Sequence, residues 1–212
     1  MRILAIADVH GSNSVRKNVQ SWVAEHTPNI IVVAGDITQF GPPEWAEDFL
    51  KGLPLKTLAV PGNCDPRGVL EAIDNSPAIP LHGQRVETEG YTFVGLGGSN
   101  TTPFGTPFEL SEEEIHETLK EIMVEKAVLV THGPARGHLD STATADKLGS
   151  QAVSWIVNEF KPILVISAHI HEARGVEKEG GTAFVNPGPA SQGYGAIIDI
   201  DGEDVEVELI KS

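Results

Sequence analysis

The chain has 212 residues, with 15 Lys and Arg set against 30 Asp and Glu for a formal net charge of −15. A surface that acidic repels a phosphate backbone and argues against sequence-independent binding to long nucleic acid, while 40% hydrophobic and 21% charged residues exclude a disordered chain. No apolar run nears the ~20 residues of a membrane span, and the single Cys64 cannot close an internal disulfide, so one cytoplasmic domain covering residues 1–212 is expected.

In chain order, Met1-Arg2-Ile3-Leu4 leads directly into the β-type run Ile3–Ala7, which reads as part of the fold and not as a leader. Ser14–His26 carries Val15, Val19, Trp22 and Val23 at helical spacing, and Pro28 closes it. After the apolar run Ile30–Ala34, Pro43–Lys51 predicts a short helix with Trp45, Phe49 and Leu50 inward. The run Leu58–Val60 precedes a further helix over Arg67–Asn75, started by Pro66. Val86–Thr88 and Tyr91–Gly95 around Glu89-Gly90 form a hairpin, and Ser111-Glu112-Glu113-Glu114 matches a capping box opening a helix to about Val124. Beyond Val128–Val130 comes a helix over Gln151–Phe160, then Leu164–Ser167.

After His171 the texture changes to β-type runs at Gly175–Glu177, Thr182–Asn186, Tyr194–Ile200 and Asp204–Ile210, separated by Gly-rich turns. Two sheets packed face to face and flanked by helices follow from this order. Leu96–Leu110 and Gly133–Gly149 are irregular stretches of a length that suits binding walls. The first, small and polar with Phe104 and Phe108, reads equally as a substrate wall or as a surface loop packed by its own rings. Glu112-Glu113-Glu114 and the acidic tail from Asp199 to Glu208 read as solvated faces.

Five fragments carry the chemistry: Asp8-Val9-His10, Gly35-Asp36, Gly62-Asn63-Cys64-Asp65, Thr131-His132-Gly133 and His169-Ile170-His171. Each follows one of the apolar runs, so strands ending at one sheet edge bring Asp8, His10, Asp36, Asn63, His132, His169 and His171 toward one place. Mixed oxygen and nitrogen donors of this kind suit one or two divalent first-row metals.

In this order and strand context the fragments resemble the calcineurin-like metallophosphoesterase superfamily, whose pattern is Asp-x-His, Gly-Asp, Gly-Asn-His-[Asp/Glu], His and Gly-His-x-His. The resemblance spans nearly the whole chain and is closest to small Cys-containing, phosphodiesterase-like members. It implies an α/β fold of four layers, an α-β-β-α double β-sandwich. It also implies two divalent ions, manganese foremost, with iron, nickel, zinc or cobalt as alternatives. One would be held by Asp8, His10 and His171, the other by Asn63, His132 and His169, with Asp36 bridging. The activity implied is hydrolysis of a small phosphorylated substrate by a hydroxide between the metals, with Asn63 stabilising the developing charge. An inert protein-interaction scaffold on the same fold is the alternative, since a neighbouring branch of the family is of that kind.

Two residues depart from the pattern. Ala168 replaces a glycine and leaves both imidazoles in place. Cys64 stands where the family often has a histidine, set by the following acid, here Asp65, to assist the leaving group. A thiol with a pKa of ~8.5 is a poorer proton shuttle than imidazole, which favours phosphodiesters with activated leaving groups. Asn186-Pro187-Gly188-Pro189-Ala190-Ser191 resembles a further family signature that shapes the turn behind the ligand loops. Of the remaining histidines, His26 suits a helix C-terminus, His82 and His116 read as surface residues, and His138 could reach the site from its loop.

Overall fold

Within one strand, Ile3 and Ala5 enter one buried cluster and Leu4 and Ile6 another, so both faces of the strand are covered. The computed structural model describes all residues from Met1 to Ser212. The chain runs first through β1 (Arg2–Ile6), α1 (Ser14–His26), β2 (Ile30–Ala34), α2 (Pro43–Lys51), β3 (Thr57–Val60), α3 (Val69–Asp74) and β4 (Ile79–Pro80). There follow β5 (Gln84–Thr88), β6 (Tyr91–Leu96), β7 (Ser99–Asn100), β8 (Glu109–Leu110), α4 (Glu112–Ile122), β9 (Val128–Thr131), α5 (Gln151–Phe160) and β10 (Leu164–Ile166). The chain ends in β11 (Gly175–Glu179), β12 (Thr182–Asn186), β13 (Tyr194–Asp201) and β14 (Asp204–Lys211).

One sheet has the order β14-β13-β1-β2-β3-β4 and the other β11-β12-β10-β9-β6-β5. Between them lies a core of alternate residues, among them Ile3, Val32, Leu58, Val130, Ile166 and Val185. The outer face of the first sheet packs Leu4, Ile31 and Val33 on Val15, Val19 and Trp22 of α1 and on Phe49 and Leu50 of α2. On the second sheet Leu129, Val165 and Phe184 meet Ile115 and Leu119 of α4 and Val153 and Ile156 of α5. This is the expected four-layer double β-sandwich. Each near-continuous apolar run reflects a strand buried on both faces. No helix is long and apolar enough to cross a membrane.

The helices α1, α2 and α5 have the predicted bounds. The capping box is formed, with the Glu114 amide donating to Ser111 Oγ at 3.2 Å and the Ser111 amide to Glu114 Oε2 at 2.8 Å. Two expectations change. The predicted solvated run 112–114 includes Glu112, whose carboxylate accepts from the Ala152 amide at 2.7 Å and Ser150 Oγ at 2.7 Å, closing the start of α5. His82 is half-buried against Phe108 and accepts from the Gly97 amide at 3.0 Å, so it is no surface residue.

Strands β1, β2 and β3 run parallel, as do β6, β9, β10 and β12. Parallel strands end together. The segments that follow β1, β2, β3, β9 and β10 therefore lie along one edge of the sandwich, and these are the five predicted fragments.

Candidate metal centre

The backbone at this edge leaves regular structure abruptly. Asp8, His10, Asp36 and His169 all have left-handed conformations, with φ of 52°, 48°, 49° and 68°. Such a conformation costs a residue with a Cβ roughly 1–2 kcal/mol, so something must hold it. The strands supply that by continuing to pair past their ends: the Asp8 amide donates to Gly35 O at 3.0 Å, and the His10 amide to Asp36 O at 2.9 Å. Two glycines are needed for close approach. A Cβ on Gly35 would stand 2.5 Å from His132 Nδ1, and one on Gly62 only 2.1 Å from the Asp36 amide nitrogen.

All seven sequence-predicted donors converge. His10 Nε2 lies 3.3 Å from His171 Nε2, and His171 Nε2 lies 3.5 Å from Asp8 Oδ1. Asn63 Oδ1 lies 2.8 Å from His132 Nε2 and 2.8 Å from His169 Nδ1. Asp36 sits between, with Oδ2 3.8 Å from His10 Nε2 and Oδ1 3.4 Å from His132 Nε2. Two donors set at right angles on a cation and each about 2.1 Å from it are about 3 Å apart, close to these separations.

The polar atoms themselves ask for a cation. Both oxygens of Asp8 are buried with no hydrogen-bond partner, and an unpaired buried carboxylate is strongly unfavourable. At the second cluster the argument is one of lone pairs. His132 Nδ1 donates to Ala34 O at 2.9 Å, so in the neutral ring Nε2 carries a lone pair. That lone pair meets Asn63 Oδ1 at 2.8 Å. The oxygen cannot be exchanged for the amide nitrogen, because Asn63 Nδ2 donates to Thr106 Oγ1 at 3.0 Å and Thr106 Oγ1 donates to Glu109 Oε1 at 2.7 Å. Convergent lone pairs and orphaned carboxylate oxygens fit divalent metal ions.

The titrating groups agree. Burial, with His132 nearby, lowers His169 to about 4 and keeps it neutral, and burial lowers His10 as well. The Asp8 carboxylate raises His171. Burial opposes the charge on Asp8, yet His171, His132 and His10 together hold it below the ordinary carboxylate value.

Cys64 and Asp65 differ in kind. Burial and the charge of Asp36 push the Cys64 thiol up, so it keeps its proton. Its backbone amide donates to Asp36 Oδ1 at 2.8 Å. Burial and Asp36 raise Asp65 to about 6 against the pull of neighbouring amides. Both Asp65 oxygens are occupied: they accept from the amides of Gly62 (2.7 Å), Thr38 (2.7 Å) and Ile37 (3.0 Å) and from Thr38 Oγ1 (2.8 Å). Sequence reasoning placed Asp65 in the chemistry. Its geometry gives it a different task, tying the Asp36 loop to the Asn63 loop.

Thr106 and Glu109 were missed. Glu109 Oε1 accepts from the hydroxyls of Thr102 (2.6 Å) and Thr106 (2.7 Å) and the Thr106 amide (2.8 Å), and this knot fixes the Asn63 amide. The irregular stretch Leu96–Leu110 is thus ordered, with β7 and β8 paired across it. His138, expected within reach of the site, instead stacks on Phe184 at 3.8 Å and faces Glu177 and Glu179 at 3.3 and 3.5 Å. Asn186 does shape the ligand loop, its Nδ2 donating to Ile170 O at 2.9 Å. Beside His171 opens a cleft of about 440 Å³ whose walls include Arg174, Gln192 and Tyr194.

The calcineurin-like phosphoesterase pattern matches residues 1–173. An uncharacterised protein of Methanocaldococcus jannaschii is 35% identical over 200 residues, covering 90% of this chain and 89% of that one. Among solved structures, the TT1561 protein of Thermus thermophilus superposes with a TM-score of 0.76 at 18% identity, over 98% of this chain and 97% of its own. A novel archaeal phosphodiesterase superposes with a TM-score of 0.58 at 16% identity, over 99% of this chain and all (100%) of its own. At those identities the two structures speak for the fold alone. The family pattern reaches from the first strand through His171, and with it the chain belongs to the calcineurin-like phosphoesterase family.

Proposed function

We propose that the protein is a dinuclear metal-dependent phosphodiesterase acting on a small phosphorylated substrate. Asp8, His10 and His171 would hold one divalent ion and Asn63, His132 and His169 the other, with manganese the expected metal. The observation that carries this reading is the Asp36 carboxylate, which turns Oδ2 toward His10 at 3.8 Å and Oδ1 toward His132 at 3.4 Å, one oxygen for each cluster. When bound, two such ions supply Lewis acidity toward a phosphoryl group and lower the pKa of the attacking water.

The protein's own groups do the rest. The Cys64 amide holds the bridging carboxylate, and the Thr106 hydroxyl keeps the Asn63 oxygen turned to the histidines. His171, with 37% of its side chain exposed, leaves the cleft beside Arg174 and Tyr194 open as the way in. The protonated Cys64 thiol has no readiness to give its proton to a poor leaving group, which supports diesters with activated leaving groups over monoesters. With all seven donor positions filled, the residues give the inert-scaffold alternative no support.

The test is hydrolysis of bis(p-nitrophenyl) phosphate against p-nitrophenyl phosphate after loading with manganese, nickel, cobalt or zinc. Activity that survives both chelation and Asp36→Ala would sink the dinuclear reading, and silence with every metal would favour the scaffold. Cys64→His tests the diester preference. It is expected to raise monoesterase relative to diesterase kcat/KM by roughly tenfold, a modest share of what general acids supply. An unchanged ratio would count against the role given to Cys64.

A further inference from the structure

In a chain with twice as many acids as bases, a cation left without a partner is informative. Most Lys and Arg side chains meet a carboxylate, a backbone carbonyl or an aromatic ring. Lys17, Arg85, Arg136, Lys147 and Lys161 do not, and the last three line a single cleft of about 410 Å³. The cleft lies between α5 and the β11–β12 hairpin, and none of the seven metal-site donors lines it. Lys161 precedes β10, and Glu179 pairs with Thr182 at the start of the parallel strand β12. Since β10 ends at the metal centre, these residues stand at the opposite edge of the sheet. Lys161 closes α5, where a cation offsets the helix dipole and needs no ligand. Arg136 and Lys147 have no such account. Their loop is pinned by the buried Asp140, whose Oδ2 accepts from the Gly137 amide at 2.9 Å and the Gly149 amide at 3.0 Å. Fixed backbone thus brings both cations to the cleft, Lys147 in a left-handed conformation with φ of 59°. Glu179 is the one carboxylate in the walls, and its Oε2 lies 3.5 Å from His138 Nε2.

We propose that this cleft is a second ligand site, separate from the metal centre, for a small anion carrying a diphosphate group. Like charges around one space repel each other, and an anion seated among them removes that cost. Cations that enter from both ends of a loop and from a helix end suit an anion with several oxygens better than a single carboxylate. A diphosphate has oxygens on two phosphorus atoms and, at neutral pH, a charge that matches the three cations. Guanidinium and ammonium groups bind such oxygens by charge-assisted hydrogen bonds. Gln151 and Asn158, two turns apart on one face of α5, bring side-chain amides to the same walls. The volume is in the range of small-molecule sites. Free diphosphate and a nucleoside diphosphate share this chemistry, and neither depends on the phosphodiesterase reading.

Amide-shift titration of the full-length protein without added metal tests this, with inorganic pyrophosphate, adenosine 5′-diphosphate and adenosine as probes. Both diphosphates are expected to give saturable shifts at Lys147, Gln151, Asn158 and Lys161, and adenosine none. Tighter binding of adenosine 5′-diphosphate identifies a nucleotide, and equal or tighter binding of pyrophosphate identifies the inorganic anion. Lys147→Gln and Lys161→Gln should each weaken binding by roughly tenfold, as expected for one charge-assisted hydrogen bond. Lys17→Gln removes the same charge from α1, away from the cleft, and should leave binding unchanged. Three results overturn the proposal: no saturable shift, shifts confined to the loops of Gly35, Asn63 and His169, or equal weakening by Lys17→Gln. Each leaves the reading of the metal centre standing, because no metal-site donor lines the cleft.

Discussion

The two halves of the centre are built in opposite ways. Asn63 and His132 are buried, and their donors are oriented by the protein itself, through Ala34 O on one side and the Thr106–Glu109 knot on the other. Asp8, His10 and His171 have no such support: the Asp8 oxygens and His10 Nδ1 are unpaired, and the His171 side chain is 37% exposed. The first arrangement is preorganised by its hydrogen bonds, and the second holds a buried but unpaired Asp8 and meets solvent chiefly at His171. On the proposed dinuclear reading, one ion would be kept by donors that the protein orients itself and the other by donors that only the ion satisfies. A chelator is expected to remove the ion of the Asp8 half first.

Asp36 belongs to both halves, so its loss should erase the contrast. Asp36→Ala is expected to remove both metal equivalents and to lower kcat/KM for bis(p-nitrophenyl) phosphate by on the order of a thousandfold or more. His171→Ala should remove only one equivalent. Elemental analysis of the two variants decides the matter: one equivalent retained by Asp36→Ala would mean that the carboxylate serves a single ion. Next in size is Asp65→Ala, which leaves four buried donors from both loops without an acceptor. Unfolding in urea should show a loss of roughly 3–5 kcal/mol. A small effect on stability with a large one on turnover would return Asp65 to the chemistry.

Removing the knot should touch one half alone. Thr106→Val leaves the Asn63 amide free to rotate and is expected to weaken the metal of the buried half by about 10–100-fold. The Asp8 half should be unaffected in a two-site titration. Equal weakening of both halves would mean that the loop acts through general stability and not through the Asn63 amide.

The convergence of the proposed ligands was legible because each obeys a local rule. An apolar run followed by Asp, His or Asn marks a strand end, and parallel strands place their ends together. Helices α1, α2 and α5 were legible from spacing and terminal residues. Thr106 and Glu109 obey no such rule. Thr106 is 43 residues from Asn63 and meets it only through a loop crossing the sandwich edge. In a chain so rich in acid, nothing local distinguishes Glu109 from glutamates that face water. Asp65 follows a motif directly, yet its motif position could not show that its oxygens turn to the amides of Ile37 and Thr38. His138 misled for a related reason, since nearness in sequence to His132 does not fix which way a loop residue points.

The smallest expected effect concerns how that Glu109 knot responds to acid. Partial burial works against the charge on Glu109, but the hydroxyls of Thr102 and Thr106 and their amides lower it from the ordinary 4.5 to about 2. A carboxylate depressed in the folded state contributes order that is fully present above its unfolded value and fades as pH falls through the folded value. The 102–109 loop should therefore stay ordered down to about pH 4.5 and loosen between there and about pH 2, as the knot's acceptor is protonated. Amide shifts of Thr106 and Phe104 in the metal-free protein would report this directly, and Glu109→Gln should already show the loosened shifts at neutral pH. If the shifts of the original protein move at pH 6 instead, a different group governs the loop and the Asn63 amide is held by something other than Glu109.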